Sequence, residues 1–368
     1  MKAMINKIEV NLNAIVNNLN VVKKQLDPEC KIIGVVKANA YGHGLIETAR
    51  SAWTAGADIL ATASLDEAVA LRVAKIKAPI IVLSYVEPVE FRRVLDFDIT
   101  LTIFDYQTAV KLDREAAKQN KWAKVDIKVD TGMNRYGFAP YEALDNYKKI
   151  MALDHIKITG IHSHFAEPEN REFTKNQINI FQNVLFGFQQ NRISPPMVHI
   201  SATKGILLFP ESHFDAVRIG LALYGYCGNV FPESGLIPAL ELKSHIAQIR
   251  RVGPGETISY DRTFKAKSPM KVAVIPIGYA DGYPRALTNK GELLVNSKRA
   301  RVVGRVCMNI FMADVTGISC SAGDEVILIG SEGDDKVDAE DLANWGETIP
   351  NEILSRLSPT IPREYHFK

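Results

Sequence analysis

Short runs of Val and Ile alternate with longer segments of helical period through the first two-thirds of the 368-residue chain, and this alternation restricts the fold most. The helical segments lie at 11–26, 65–77, 106–119, 141–153 and 170–191. The strand candidates lie at 32–37, 58–62, 80–84, 99–103, 124–129, 158–163, 197–201 and 216–219. Eight strands with crossovers predict a parallel (β/α)8 TIM-like barrel, with a doubly wound sheet as the competing α/β architecture.

The last third of the chain has a different pattern. Gly, Pro and Ser cluster at 228–238, and no helical segment separates the β-branched runs that follow. These runs lie at 240–252, 271–277, 300–307, 311–315 and 325–329, with one helix expected at 338–344. We therefore predict two domains, an α/β barrel over residues 1–232 and a mostly antiparallel β domain over residues 233–368.

Charge, hydropathy and cysteine content limit the partners and the compartment. A net charge of +2 gives no electrostatic reason to expect binding to nucleic acid or to a charged membrane. The chain has no apolar run of membrane-helix length and no signal-peptide pattern near its N-terminus. Its four cysteines are sparse and lack CxxC spacing, which is typical of free thiols in a reducing cytoplasm.

In a barrel, reactive groups gather where the strands end, and one lysine is placed well for covalent chemistry. Lys37 lies in the stretch Val35–Gly44, where an apolar run ends and a loop with several glycines begins. An amine at the end of a rigid strand can form an imine with a carbonyl cofactor. The alternative is an ordinary solvated lysine at a strand end.

Other predicted strand ends carry polar side chains that would converge on the same mouth. Arg135, after a sharp turn at Gly132, can donate to an anionic oxygen. The Arg218-Ile-Gly-Leu segment offers bare amides as a phosphate cradle, although a glycine there can simply make a turn. His162 and His164 have period two, so both rings should face one side of a strand. They could ligate a metal, but no set of carboxylates accompanies them, and we predict none.

The predicted β domain contributes aromatic motifs beside glycines. Tyr260 follows the turn Gly253-Pro-Gly255, and Tyr279 and Met308 lie in similar segments. Tyrosines in such positions are more often packing residues than catalysts.

Taken together, these motifs resemble the alanine racemase family, the fold-type III pyridoxal-phosphate enzymes, over essentially the whole chain. The segments that carry the resemblance occur in the family's order: Val-Val-Lys-Ala-Asn-Ala-Tyr-Gly-His-Gly, Lys-Val-Asp-Thr-Gly-Met-Asn-Arg, His-Ser-His-Phe-Ala, Arg-Ile-Gly-Leu-Ala-Leu-Tyr-Gly, Ser-Tyr-Asp-Arg-Thr-Phe, Gly-Tyr-Ala-Asp-Gly-Tyr and Arg-Val-Cys-Met-Asn.

The resemblance implies pyridoxal 5'-phosphate as cofactor and a role for each matching residue. Lys37 would carry the cofactor, Arg218 would donate to its pyridine nitrogen, and His164 would lie against the ring and bond Arg218. Arg135 would bond the phenolic oxygen beside the substrate. The phosphate would be held by Tyr41, Ser201 and the amides of Gly220 and Leu221.

The resemblance also implies a head-to-tail homodimer. Tyr260 would enter the site from the partner subunit as the second acid–base group, and Met308 and Tyr279 would shape the substrate pocket. By the family's pattern Lys37 exchanges the proton of D-alanine and Tyr260 that of L-alanine. The D-alanine would supply peptidoglycan. Lys128 matches a position that is often carbamylated in the family.

Two positions depart from the family's pattern. Asn351, in Thr348-Ile-Pro-Asn-Glu, stands where the family usually has a tyrosine, and Asn309 where it commonly has an aspartate. An amide can bond a substrate hydroxyl, so a serine or broader alanine/serine racemase is the nearest alternative. A non-catalytic pyridoxal-phosphate-binding protein shares the barrel but lacks the β domain that carries Tyr260. A metal-dependent hydrolase built on the two histidines is the remotest alternative.

Overall fold

A computed structural model describes residues 5–228 and 235–367 of the chain. Strand β1 (Lys7–Asn11) comes first, and eight parallel strands then close into a barrel in chain order, with the last strand hydrogen-bonded to the first of the eight. These are β2 (Lys31–Val35), β3 (Ile59–Thr62), β4 (Ile80–Val82), β5 (Thr100–Ile103), β6 (Ala123–Lys128), β7 (Ile156–His162), β8 (Val198–Ala202) and β9 (Ala216–Ile219). The predicted barrel is confirmed, and the doubly wound alternative is wrong.

Helices surround the barrel, as the helical periods predict. Four of the five predicted helices begin after a polar residue whose side chain caps the first turn; the Asp105 carboxylate, for example, accepts from the Thr108 amide. Three short helices were not predicted, at Leu45–Thr54, Phe91–Asp96 and Thr203–Leu208, and none has a side-chain cap. The others are Leu12–Lys23, Leu65–Val73, Tyr106–Gln119, Ala143–Met151 and Arg171–Gln190. None of the helices in the described part of the chain is long and apolar enough to span a membrane.

The remaining strands build the predicted β domain around one large sheet, in which neighbours run antiparallel except at the β1–β20 edge. They are β10 (Leu240–His245), β11 (Gln248–Val252), β12 (Thr257–Ile258), β13 (Phe264–Lys265), β14 (Met270–Ile275), β15 (Glu292–Val295), β16 (Lys298–Val302), β17 (Phe311–Asp314), β18 (Glu325–Glu332), β19 (Asp335–Val337) and β20 (Arg363–His366). The sheet order is β11-β14-β17-β16-β15-β18-β10-β1-β20. Helices Ala339–Gly346 and Pro350–Ser355 pack beside the sheet.

The two domains interlock at the first strand. Strand β1 pairs with β10 and β20, so it lies in the β sheet although the sequence division assigns it to the barrel. Its apolar residues Ile8 and Val10 are fully buried, and the sheet provides the cover that they need. The predicted boundary between residues 232 and 233 lies outside the described residues.

The loop after Lys37 is also enclosed by the second domain. A Cβ atom on Gly42 would lie 2.1 Å from the carbonyl oxygen of Leu354, so only glycine fits there. The Arg363 guanidinium donates to the Gly42 carbonyl at 3.1 Å. The β domain therefore fixes the position of the loop that carries the candidate catalytic lysine.

Candidate active site

A cavity of about 600 Å³ opens at the carboxyl ends of the barrel strands. Its described lining includes five cationic side chains and no carboxylate. The cations are Lys37, Lys128, Arg135, Lys204 and Arg218. An excess of positive charge in a concave site favours an anionic ligand and opposes a bare metal cation.

Lys37 stands at the start of an unusual backbone turn. Strand β2 ends at Val35, earlier than predicted, and the four residues from Ala38 to Tyr41 all have φ between +51° and +54°. Left-handed conformation costs roughly 1–2 kcal/mol per residue. Hydrogen bonds of Asn39 hold the turn: its amide donates to Glu67 at 2.9 Å, and its side chain accepts from the Leu45 amide at 2.8 Å.

This turn leaves the Lys37 amine half-buried in the cavity. Burial, with the nearby charge of Arg135, lowers the pKa of Lys37 from its ordinary value. A larger fraction of the side chain is therefore a neutral amine, which is the form that attacks carbonyls and accepts protons.

Arg218 is held more firmly than any other cation of the cavity. It is 3% exposed, and its guanidinium donates to the Ser163 and Ile200 carbonyls, each at 2.7 Å. It also donates to Nδ1 of His164 at 2.9 Å and to Nδ1 of His199 at 2.5 Å. The contact with His164 has the form that the resemblance implies, whereas the sequence assigns no role to His199, which it only places near the end of a strand.

The two histidines of the His-x-His motif do not act as a pair. Strand β7 ends at His162, whose ring turns into the barrel, donates to Asp126 and stacks on His199 with centroids 4.7 Å apart. His164 lies beyond the strand and faces Arg218. Both residues line the cavity, but they have different hydrogen-bond partners, Asp126 for His162 and Arg218 for His164.

Asp126, His162 and His199 are close enough together to form a three-ligand metal group. Each carboxylate oxygen of Asp126 instead accepts one imidazole N–H, and the other ring nitrogen of His199 accepts from Arg218. The cluster therefore has the partners of a hydrogen-bond network.

The other end of the cavity combines a phenol with backbone amides. Burial, opposed by a hydrogen bond with Asn351, raises the pKa of Tyr41 to about 12, so its hydroxyl stays a donor. Gly220 approaches this hydroxyl so closely that a Cβ there would lie 3.1 Å from it. Leu221 lines the cavity next to it. This end offers donors and little bulk, which suits a phosphate group.

Ser201 does not reach this end. Its hydroxyl is fully buried at 2.5 Å from that of Ser212, and it is absent from the described lining of the cavity. Thr203 does line the cavity, and its hydroxyl accepts from the Ala222 amide at 3.2 Å. The correction has a simple cause: β8 continues to Ala202, so Thr203 is the first side chain beyond the strand.

Lys128 and Arg135 complete the cationic wall. Burial and the charges of Arg218 and Arg135 lower the pKa of Lys128 to about 7. Arg135 stays exposed at the rim, on a loop whose amides at Gly132, Met133 and Arg135 donate to the Asp130 carboxylate. Lys128 is thus partly neutral near pH 7.

The three second-domain residues lie elsewhere on the surface. Tyr260, Tyr279 and Met308 are 72%, 43% and 56% exposed, and none is among the described residues that line the cavity. Hydrogen bonds from the amides of Tyr279 and Ala280 to the carbonyls of Cys307 and Met308 hold two of them together. We call Tyr260, Tyr279, Met308 and the neighbouring exposed Asn309 the exposed patch.

Tyr260 is presented on a strained turn. Ser259, Asp261 and Arg262 have φ of +66°, +56° and +51°. An ion pair of 2.6 Å between Asp261 and Arg305 and a hydrogen bond from the Ser259 hydroxyl to the Arg305 carbonyl hold this turn. Such strain persists only where the surroundings impose it, and it often marks functional positions.

Asn351 reaches the cavity from the second domain. It lies on the helix Pro350–Ser355, which packs on the turn after Lys37, and it contacts Tyr41. It is the one second-domain residue among the described cavity-lining residues.

Known proteins share both the sequence and the fold of this chain. Residues 10–228 match the family model for the N-terminal domain of alanine racemase, and residues 239–365 match that for its C-terminal domain. An alanine racemase of Halothermothrix orenii is 42% identical over 98% of this chain and 96% of its own length.

Solved structures agree with these matches. The alanine racemase of D-cycloserine-producing Streptomyces lavendulae superimposes with a TM-score of 0.94 and 31% identity, over 100% of this chain and 98% of its own. The alanine racemase of Bartonella henselae, solved with covalently bound pyridoxal phosphate, gives a TM-score of 0.89 and 28% identity over 99% and 100% of the two chains.

Proposed function

Because the chain belongs to the alanine racemase family, we propose that it is a pyridoxal-phosphate-dependent racemase that interconverts L-alanine and D-alanine. The observation that carries the proposal is the cationic cavity around Lys37, whose described lining has no carboxylate. A phosphorylated cofactor and an amino-acid carboxylate together match that charge.

The donor set fits the cofactor group by group. Lys37 is the amine to which its carbonyl carbon would attach, and Arg218 is the donor for its ring nitrogen. The Tyr41 hydroxyl, Thr203 and the amides of Gly220 and Leu221 would hold its phosphate, with Thr203 replacing Ser201 in that role. When bound, pyridoxal phosphate acts as an electron sink that makes the Cα proton of an amino acid acidic.

Racemisation needs one proton acceptor on each face of Cα, and the chain offers two candidates. The Lys37 amine, with its lowered pKa, serves the face from which D-alanine loses its proton. The Tyr260 phenol serves the L-alanine face. Arg135 orients the bound groups at the rim.

Tyr260 is exposed and outside the cavity of its own chain, and this supports a head-to-tail homodimer. In that dimer the exposed patch of one subunit closes the cavity of the other, so that Tyr260, Tyr279 and Met308 act in trans. Association would also cover apolar surface that is costly to expose.

Arg218 decides between racemisation and transamination in this proposal. A guanidinium does not give up its proton, so it donates to the ring nitrogen without protonating it. With the cofactor bound, its ring would be a weaker electron sink, which would favour return of the proton to Cα over its transfer to a more distant carbon.

A chiral assay with purified protein tests the activity directly. We expect equal equilibrium amounts of the two alanine enantiomers from either one, together with an absorbance band at about 420 nm that borohydride removes. Enantiomers that stay unchanged in the presence of the band would favour a non-catalytic pyridoxal-phosphate-binding protein. If the band is absent, the proposal that pyridoxal phosphate is the cofactor is wrong.

Asn351 supports a second candidate, a racemase that accepts serine as well as alanine. Its amide lines the cavity and can bond a hydroxyl, whereas an apolar wall alone rejects one weakly. We expect kcat/KM for L-serine to lie less than about 1000-fold below that for L-alanine. A larger gap, measured under the same conditions, would remove this candidate.

Three finer points complete the proposal. D-alanine for peptidoglycan is the proposed use of the product, in the cytoplasm, where cysteines outside disulfide bonds are stable. Lys128, which is partly neutral near pH 7, is a proposed site of carbamylation. We place the domain boundary at residues 232 and 233, between the two segments that match the family's domains.

A further inference from the structure

Asp126 lies behind the cavity and touches both buried histidines. It is 0% exposed, on strand β6, and it is not among the described lining residues. Its Oδ1 accepts from Nδ1 of His162 and its Oδ2 from Nε2 of His199, each at 2.9 Å. Both oxygens of one carboxylate are thus engaged by two different imidazoles.

This arrangement determines which nitrogen of His199 carries its proton. An ionised carboxylate only accepts hydrogen bonds, so Nε2 of His199 must be the protonated nitrogen. A neutral ring then has its free lone pair on Nδ1. The guanidinium of Arg218, which only donates, meets that lone pair at 2.5 Å.

The protonation states fit this chain of contacts. Burial tends to raise the pKa of Asp126, but the charges and hydrogen bonds of His199 and His162 outweigh it and keep that pKa below its ordinary value. Burial lowers the pKa of His199 below its ordinary value and that of Arg218 to about 10. Near pH 7 the chain of contacts therefore runs from the ionised carboxylate of Asp126 through the neutral imidazole of His199 to the charged guanidinium of Arg218.

We propose that Asp126 is a positioning residue for the racemase reaction: it fixes the tautomer of His199 so that Nδ1 accepts from Arg218, and it supplies the buried countercharge for that guanidinium. The proposal rests on the proposed function, in which Arg218 faces the cofactor's ring nitrogen. Asp126 itself touches neither substrate nor cofactor.

The substitution Asp126→Asn separates this role from simple packing, because it keeps the shape of the side chain. An amide has one accepting oxygen and one donating nitrogen, so it cannot accept from both imidazoles. If it donates to His199, the proton of that ring moves to Nδ1 and opposes the Arg218 donor. If it donates to His162 instead, Arg218 still loses its countercharge.

We expect Asp126→Asn to lower kcat for alanine on the order of 100-fold, because Arg218 loses its buried countercharge and the correct tautomer of His199 is no longer fixed. KM should change less, since Asp126 does not line the cavity. The half-transamination rate should rise relative to racemisation. Asp113→Asn is the matched control: Asp113 accepts from the His155 amide at 2.8 Å and is not among the described cavity-lining residues. It should keep kcat within about threefold of the wild type.

A second measurement decides the matter even if Asp126→Asn does not fold. Nitrogen-15 NMR of the wild-type holoenzyme, with His199 assigned by comparison with His199→Gln, reads the tautomer of this ring. We expect protonated Nε2 and bare Nδ1. A proton on Nδ1, or a folded Asp126→Asn enzyme with wild-type kcat, would overturn the proposal. Since the tautomer is read without turnover, its result stands even if the protein does not racemise alanine.

Discussion

The barrel mouth and the exposed patch carry the two candidate bases, but in opposite settings. At the mouth Lys37 is half-buried among cations, and the Arg218 guanidinium behind it has four hydrogen-bond acceptors. In the patch Tyr260 is 72% exposed on a strained turn. In the proposed dimer, the mouth of one chain would supply one half of the racemase site and the exposed patch of a second copy would supply the other half.

The largest effect should come from removing the base at the mouth. Lys37→Ala removes the amine proposed to bind the cofactor and to move a proton, so racemase activity should fall about 10,000-fold or more. The band at about 420 nm should disappear as well. Lys31→Ala, at the exposed start of the same strand, should retain both. Full activity of Lys37→Ala would show that the mouth does not hold the essential amine.

The network behind the mouth is tested by Arg218→Glu. A carboxyl group can protonate the ring nitrogen, so racemisation should fall on the order of 100-fold while half-transamination rises relative to it. Single-turnover measurement of the aminated cofactor gives that ratio. The exposed Arg114→Glu is the control. An unchanged ratio in Arg218→Glu would refute the selectivity argument.

The smallest effect is expected at Asn351, the residue with which the second domain of the same chain reaches the barrel mouth. Asn351→Tyr removes an amide and narrows the cavity, so kcat/KM for L-serine should fall about tenfold relative to that for L-alanine. Asn344→Tyr, on the exposed side of a neighbouring helix, should leave the ratio unchanged. If both variants treat serine like the wild type, Asn351 does not determine specificity.

Sequence patterns predicted the barrel well because each strand is a compact β-branched run between turn residues. Strand β9 has the predicted bounds, and the other barrel strands deviate by a few residues. The β domain was less accessible. The run at 240–252 forms two strands, β10 and β11, rather than one. The break between them could not be seen in the sequence, because the buried Ile246 continues the period of two across it. Strand β1 was missed because its partners are far along the chain.

In the candidate site, too, the sequence did not reveal features that depend on contacts between distant parts of the chain. Lys37, Arg218 and the amides after β9 could be located because strand ends in a barrel converge. The roles of Asp126 and His199 could not be assigned from the sequence, since each residue gains its role from contact with a residue of another strand. Ser201 was predicted to reach the phosphate because strand β8 was expected to end at residue 201, one residue too early. The exposure of Tyr260 depends on the tertiary structure and cannot be read from the sequence.

The central claim, that each site combines the mouth of one chain with the exposed patch of another, has a direct test. Lys37→Ala and Tyr260→Phe are purified separately, mixed in equal amounts, dissociated and reassembled. Each variant should be nearly inactive alone, but half of the new dimers should be mixed, each with one intact site. We predict recovery to about a quarter of wild-type racemase activity. If the mixture stays as inactive as its components, the two bases act within one chain and the account is wrong.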